Sequence, residues 1–218
     1  MKKIMMLSLI ALFFMVSASF SFAEEVIKLP APQKDGGMPL MKALSLRKST
    51  RGNFGPDTKL SMQQISNLLW AADGVNREHG YRTAPSAANW QNIDIYVTTA
   101  DGYYLYDPIN NALKVLGKED VRKISGQQPF VTQAPVDLIY IADYEKASFG
   151  GRRMKDTEEI WSYANTGCIA QNVYLWCASE NLACIVRAMI DKDAVRKTLK
   201  LRPEQHVILA QTIAHFKK

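Results

Sequence analysis

The chain has 218 residues, which is enough for one domain with a substantial core and too few for two comfortable ones. Hydrophobic residues make up 47% of it and charged residues 22%, a composition that excludes a disordered chain. The net charge of +6 becomes 6 − 2 = +4 without Lys2 and Lys3, and an excess of this size favours a small anionic ligand over a nucleic acid. The three histidines and three cysteines show no spacing typical of metal ligands, so we predict no metal site.

The first 23 residues have the pattern of a signal peptide. Lys2 and Lys3 are followed by an apolar run over residues 4 to 16, and Ser21 and Ala23 stand at the two positions that a signal peptidase reads. We therefore expect cleavage after Ala23 and export to the periplasm or cell envelope. The apolar run is short for a membrane span, although an uncleaved anchor is the alternative. After removal of residues 1 to 23 we expect no stable membrane span.

The mature part begins with an arm and two helices. Residues 24 to 38 contain two prolines and two glycines and show little periodicity, which predicts an extended arm. In a dimer such an arm often lies on the partner. A short helix is predicted over residues 39 to 46. Ser61 and Gln64 have capping-box spacing, and apolar residues follow at helical intervals until Gly74 ends a second helix.

The remaining elements group strands with strands rather than alternating them with helices. Strands are predicted over residues 93–99, 103–106, 113–116, 136–142, 182–189 and 207–214. Helices are predicted over 157–181 and 193–199, with a short one at best over 119–125, and residues 143–156 are predicted to be a mobile loop. This arrangement favours an α+β fold with a mainly antiparallel sheet packed by helices.

A cationic segment follows the first helix. Residues 46 to 54 read LRKSTRGNF, which places Arg47, Lys48 and Arg51 around the hydroxyls of Ser49 and Thr50. Charge and hydroxyl hydrogen bonds together suit one anion, most naturally a phosphate. The alternative is that these cations complement the negative end of the helix and lie in water.

A second motif lies downstream at residues 84 to 92, which read APSAANWQN and precede a strand. Together the two segments resemble the FMN-dependent nitroreductase family, whose members carry Arg-x-Ser-x-Arg/Lys near the start and Pro-Ser-x-x-Asn-x-Gln before a strand. The resemblance covers nearly the whole exported part of the chain. The sequence departs from the family at Asn92, where proline is usual, and this puts the local backbone path in doubt.

The resemblance implies a nitroreductase-like domain over residues 39 to 218, forming an intertwined homodimer with FMN at the subunit interface. Arg47, Lys48 and Ser49 match phosphate-binding positions, and Arg51 matches the position facing the flavin pyrimidine. The flavin-binding positions elsewhere in the chain are matched by Pro85, Ser86, Ala87, Asn89, Leu182, Ala183 and Lys217.

These matches carry different roles. Pro85, Ser86 and Ala87 would approach the flavin from the other subunit, and the Asn89 amide would bind the pyrimidine edge. The main chain at Leu182 and Ala183 stands where the family has a Gly-Leu-Gly turn near the flavin N5. Lys217 would reach the phosphate, or else belong to a frayed tail. A further cation, Arg187, is either an anion ligand or, as we prefer, a strand residue pointing to solvent.

The leading functional hypothesis is an FMN-dependent oxidoreductase. It would transfer two electrons, as hydride, from NAD(P)H or another donor to a nitroaromatic, a quinone or a similar small acceptor. The chemistry would be centred on the flavin, so no catalytic side chain is predicted. The alternatives are a non-catalytic exported flavin or ligand-binding protein of the same fold, and a structural cell-envelope protein with a degenerate pocket.

Overall fold

The structure is a computed structural model, and it describes residues 25–52, 54–55 and 58–217. The predicted signal peptide, residues 1 to 23, lies outside the described residues. No helix within the described ranges combines the length and the apolar character needed to cross a membrane.

A seven-stranded sheet forms the centre of the fold, and every neighbouring pair of its strands is antiparallel. The spatial order is β1-β4-β3-β2-β5-β9-β8. The strands are β1 (Val26–Lys28), β2 (Ile93–Thr99), β3 (Gly102–Asp107), β4 (Ala112–Gly117), β5 (Val136–Asp143), β8 (Leu182–Arg187) and β9 (Gln205–His215). A separate hairpin is formed by β6 (Ser148–Phe149) and β7 (Arg152–Arg153). The predicted α+β fold is confirmed.

Within the described residues, four α-helices pack around this sheet: α1 (Leu40–Leu46), α2 (Met62–Asp73), α3 (Glu158–Ser179) and α4 (Lys192–Thr198). The predicted capping box starts α2, since the Ser61 side chain accepts from the Gln64 main chain and the Gln64 side chain accepts from the Ser61 main chain. Two acidic residues, Glu158 and Glu159, stand in the first turn of α3, where they complement the positive end of the helix dipole.

The core has two layers, one on each face of the sheet. All eight residues of β5 are buried, because its alternate side chains face different layers. Leu138 packs with α2 and α3 on one face, and Ile139 packs towards Val195 of α4 on the other. Each fully buried aliphatic side chain of this kind contributes about 1.5–3 kcal/mol. The second face continues towards β8, where Ala183 and Ala214 pack beneath Phe54.

The arm and the segment over residues 143–156 both contain local structure. Strand β1 of the arm pairs with β4 of its own chain, and the Asn111 side chain donates to the Pro30 carbonyl. Contact of the arm with a partner chain stays a prediction. The segment predicted to be a mobile loop contains the β6–β7 hairpin. Arg153 on β7 is held by ion pairs to Glu158 and Glu204.

Candidate cofactor-binding site

The cationic segment leaves α1 and crosses the outer edge of β8. Arg47 caps α1 with an extended ψ of 123° while its N–H still donates to the Ala43 carbonyl. Three residues later, the Thr50 N–H donates to the Cys184 carbonyl at 2.9 Å. Because β8 is the last strand of the sheet, this bond fixes the segment against an edge that would otherwise be unpaired.

The three cations of the segment contact aromatic rings or solvent in the described part of the chain. The Arg47 guanidinium carbon lies 5.3 Å from the Tyr174 ring centre, the Lys48 Nζ lies 5.3 Å from the Phe216 ring centre, and Arg51 is exposed. Within residues 25–52, 54–55 and 58–217, none of the three forms an ion pair with a carboxylate. Arg47 caps α1 and stacks on Tyr174 of α3, while Lys48 and Arg51 are exposed. This arrangement is compatible both with an anion site and with cations that complement the end of α1.

The hydroxyl of Ser49 is held between these cations. Ser49 is exposed, and its Oγ lies 2.8 Å from the Tyr174 hydroxyl. That hydroxyl accepts a hydrogen bond from the Val186 N–H of β8, also at 2.8 Å. Ser49 is therefore fixed relative to α3 and β8 while its outer side stays open.

The start of β8 and the C-terminal end of β9 adjoin the same segment. Leu182 and Ala183 are buried strand residues, so only their main chain could face a flavin. Asn181 before them has a φ of +53°, a left-handed conformation that asparagine tolerates where the family has glycine. Exposed Lys217 follows Phe216, which bridges to Phe54. A cleft of about 110 Å³ lies among these elements, room for roughly three or four waters by liquid volume.

The second motif forms a short 3-10 turn, Ala87–Asn89, beside the first half of α3. Ala88, Asn89 and Gln91 all have positive φ, between 46° and 56°, which is costly for residues other than glycine. Two hydrogen bonds hold this backbone: the Ala87 N–H donates to Asn165 Oδ1, and the Gln91 N–H donates to Ser86 Oγ. Pro85 and Asn89 remain exposed on the outside of the turn.

Asn92, the departure from the family pattern, is part of the support for this turn. Its buried side chain donates to Ser162 Oγ at 2.8 Å and accepts from Asn165 Nδ2 at 2.9 Å. A proline could make neither bond. Asn92 thus orients Asn165, and Asn165 in turn holds the Ala87 N–H.

Within one chain the structure brings together two groups of predicted residues and keeps the groups apart. Seven adjoin the edge of β8: Arg47, Lys48, Ser49, Arg51, Leu182, Ala183 and Lys217. Four form the turn beside Asn165: Pro85, Ser86, Ala87 and Asn89. Asn165 and Tyr174 mark the two places on α3, and nine residues of helix separate them by about 13 Å along the axis.

Arg187 is neither an anion ligand nor a solvent-facing residue, so both expectations for it are wrong. Its guanidinium lies 2.8 Å from Asp137 Oδ1, with side-chain exposures of 3% and 0%, and also donates to the Ser125 carbonyl. Thr212 joins the cluster by donating to Asp137. Burial raises the pKa of Asp137 to about 7, and Arg187 opposes that rise.

Sequence reasoning missed the supporting side chains Tyr174 and Asn165. Tyr174 stands in a part of α3 that is apolar almost all round, where a tyrosine looks like a core residue. Asn165 is one of three amide residues in the same helix, with Gln171 and Asn172, and no local signal singles it out. Among the described residues, no group of three or more histidine, cysteine or carboxylate side chains lies close enough to hold a metal ion.

Comparison with known proteins agrees with this architecture. The model of the nitroreductase family matches residues 44–215. A candidate nitroreductase of Methanocaldococcus jannaschii is 30% identical over 155 residues, which is 66% of this chain and 76% of that protein.

Solved structures give the same result. The crystal structure of a candidate nitroreductase from Ralstonia eutropha JMP134 superposes with a TM-score of 0.82 at 40% identity, over 89% of this chain and 91% of that one. A candidate nitroreductase from Desulfovibrio desulfuricans, solved in complex with FMN, shares the fold at 18% identity and a TM-score of 0.57, over 84% and 89% of the two chains. The chain therefore belongs to the nitroreductase family, which indicates an oxidoreductase.

Proposed function

We propose that the protein is an FMN-dependent oxidoreductase that takes two electrons, as hydride, from NAD(P)H or another donor and passes them to a nitroaromatic, quinone or similar acceptor. One observation carries the proposal. Arg47 and Lys48 lie against aromatic rings near one sheet edge, Arg51 is exposed in the same segment, and none of the three has a carboxylate partner among the described residues. The FMN-bound nitroreductase of D. desulfuricans supports the choice of anion.

The donor set fits the phosphate of FMN. Arg47 presents a planar guanidinium, Lys48 a mobile ammonium and Ser49 an exposed hydroxyl, a combination that suits a dianionic phosphate. The cleft beside Lys48 admits a small group but is far below the 300 Å³ or more of a complete small-molecule site. The ring of the cofactor would therefore lie outside this cleft, against surface that the single chain leaves open.

The remaining predicted residues would orient the ring. Bound FMN would supply the two-electron carrier that no protein side chain provides. Arg51, exposed beyond Ser49, would place a positive charge near the pyrimidine and favour the reduced, more negative ring. Asn89 would offer an amide donor and acceptor from the turn held by Asn165. Lys217 would add a further cation at the phosphate.

We also propose a homodimer, because α1 and α3 leave apolar surface uncovered. The outward side of α3 exposes Ile160, Tyr163, Ala164, Gly167 and Gln171. Neighbouring α1 exposes Leu40, Met41 and Leu44. A helix that is apolar almost all round is ordinarily buried, and a contiguous apolar surface of this kind marks an interface. A second copy would also bring its own 85–89 turn towards a cationic segment from which it is otherwise separate.

The dimer can be tested at Ile160, whose side chain is 68% exposed in the single chain. Ile160→Arg should convert the dimer to monomers and lower FMN occupancy, because an arginine cannot be buried unpaired in an apolar interface. Ile109→Arg is the control, since Ile109 is 64% exposed in the turn between β3 and β4, at the other side of the sheet. Native mass spectrometry would measure subunit number, and a dimeric Ile160→Arg variant would contradict this interface.

The proposed function is tested on protein starting at Glu24, the residue after the proposed signal cleavage. Native mass spectrometry with a visible spectrum should show one FMN per chain, and NADH or NADPH should bleach the flavin until a quinone or nitroaromatic is added. Protein that stays colourless after mixing with FMN would refute the proposal. Yellow protein that no donor reduces would instead indicate a flavin carrier. Export is tested separately, by N-terminal sequencing of the secreted form.

A further inference from the structure

Tyr174 joins three elements at the proposed phosphate site. It lies on α3 and is only 7% exposed, with its hydroxyl 2.8 Å from both Ser49 Oγ and the Val186 main-chain nitrogen. Its ring lies beneath the Arg47 guanidinium. We propose that Tyr174 is a positioning residue that directs the Ser49 proton towards the ligand and thereby makes the site prefer FMN to riboflavin. This inference rests on the proposed function.

The direction of the bond between the two hydroxyls follows from counting protons. The Val186 N–H can only donate, so the Tyr174 oxygen accepts that bond and still has its own proton to donate. Among the described residues, Ser49 Oγ is the acceptor within reach of that proton. If Ser49 donated instead, the Tyr174 proton would be left unsatisfied in a nearly buried place, which is costly. Tyr174 therefore donates to Ser49.

The consequence is a serine with a free proton facing outwards. Because Ser49 already accepts from Tyr174, its own O–H is available to an acceptor on the exposed side, and the accepted bond strengthens it as a donor. The cation–π contact keeps Arg47 on the same side. The terminal oxygens of a phosphate dianion only accept, whereas the ribityl hydroxyl of riboflavin must also donate. The arrangement therefore favours the phosphate-bearing flavin.

Tyr174→Phe is the decisive variant, because it removes the hydroxyl and keeps the ring beneath Arg47. We expect the Kd for FMN to rise about tenfold or more and the Kd for riboflavin to stay within about twofold. Tyr104→Phe is the matched control, since Tyr104 is half-buried on β3, which three other strands separate from β8. Both ligands are measured by quenching of flavin fluorescence on protein whose circular dichroism matches the wild type.

Ser49→Ala keeps the test decisive even if Tyr174→Phe folds poorly, because Ser49 is exposed. It should cause the same loss of FMN affinity, and the double variant should lose no more than the larger single loss, since the two hydroxyls act as one unit. FMN affinity unchanged in Ser49→Ala would overturn the inference. Additive losses, or equal losses for FMN and riboflavin, would also overturn it and leave Tyr174 a structural residue.

A third ligand separates this inference from the proposed function. Inorganic phosphate should raise the Tm of the wild type and have a smaller effect on Tyr174→Phe. If the wild type binds neither flavin but still responds to phosphate in this way, the flavin function fails and the role of Tyr174 at an anion site stands. If the wild type responds to neither flavin nor phosphate, both fail.

Discussion

Arg187 and Arg47 are two arginines close to the same strand, but they differ in burial and in charge pairing. Arg187, on β8, is 3% exposed and contacts Asp137, which folding buries with it. Arg47, beside β8, stacks on an aromatic ring and has no carboxylate partner in the described part of the chain. Whether a carboxylate pairs with the guanidinium, rather than whether the arginine belongs to a motif, therefore distinguishes a structural arginine from one available to a ligand.

The difference follows from solvation. A buried charge is tolerated only when it is paired and hydrogen-bonded, so Arg187 brings Asp137, Thr212 and the Ser125 carbonyl into one cluster. A half-buried guanidinium such as that of Arg47 keeps part of its hydration, so leaving it unpaired costs the folded state little free energy. Substitutions at the first site should therefore reduce stability, and substitutions at the second should reduce binding.

The largest effect is expected at the buried pair. Arg187→Met should lower the free energy of unfolding by about 3–5 kcal/mol, because it leaves the Asp137 carboxylate buried without its partner. Urea unfolding followed by circular dichroism would measure it. Lys59→Met is the control: Lys59 pairs with Asp101 at the surface, and its loss should cost less than about 1 kcal/mol. Equal losses of unfolding free energy in Arg187→Met and Lys59→Met would contradict the assignment of Arg187 as a structural cation.

The next effect is expected at the phosphate end of the proposed site. Arg47→Gln should raise the Kd for FMN about ten- to a hundredfold by removing a charge-assisted contact, and should change the Kd for riboflavin much less. The free energy of unfolding should move by only about 0.5 kcal/mol. Lys197→Gln removes one exposed charge from α4 and should leave both affinities unchanged. An Arg47→Gln variant with lower stability but unchanged affinity for FMN would instead indicate a structural role for Arg47, like that of Arg187.

A smaller and different effect is expected at the turn that carries Asn89. Asn165→Ala removes the acceptor of the Ala87 N–H and the donor to Asn92, which should cost about 1–2 kcal/mol of stability. The affinities for FMN and riboflavin should fall together, several-fold, because the turn would face the ring that the two ligands share under the proposed function. Asn172→Ala, on the same helix with one long contact to the Ala72 carbonyl, is the control. A loss confined to FMN would contradict the placement of the turn.

The smallest effect is expected at His206, which becomes a cation only on protonation. It stacks on Tyr144, and burial together with nearby Arg196 lowers its pKa below the usual 6.5. The folded state thus binds the proton less well than the unfolded state, so stability should fall as the pH falls below about 6.5. His206→Gln should remove a few tenths of a kcal/mol of this dependence, roughly, in urea titrations at several pH values. A pH dependence of stability that is the same in His206→Gln as in the wild type would contradict this assignment.

Short-range signals predicted most of the fold. The capping box at Ser61 starts α2, and the apolar run after Pro135 is the central strand β5. Both depend on neighbours within a few residues. The features that the sequence did not predict depend on distant partners: β1 pairs with β4 through Val26 and Lys114, and Arg153 on β7 pairs with Glu204. No local pattern states these pairings in advance.

The candidate site likewise contains residues that the sequence indicated and residues that depend on distant partners. The resemblance carried by two motifs, rather than the spacing of one segment alone, predicted flavin-binding roles for Arg47, Ser49 and Arg51, and those roles stay predictions. The burial of Arg187 was not readable, since its partner Asp137 lies two strands away across β9. Tyr174 was equally hidden, because only the neighbouring Val186 N–H shows which way its hydroxyl points.

The bonds at the outer side of β8 have one more consequence. Thr50 satisfies the Cys184 carbonyl and Tyr174 satisfies the Val186 N–H, two main-chain groups that would otherwise offer a template for strand addition from another molecule. Thr50 and Tyr174, which adjoin the cationic segment, therefore also cover a strand edge that could otherwise promote aggregation. Weakening the bonds made by Thr50 and Tyr174 should lower the solubility of the protein as well as its affinity for a ligand.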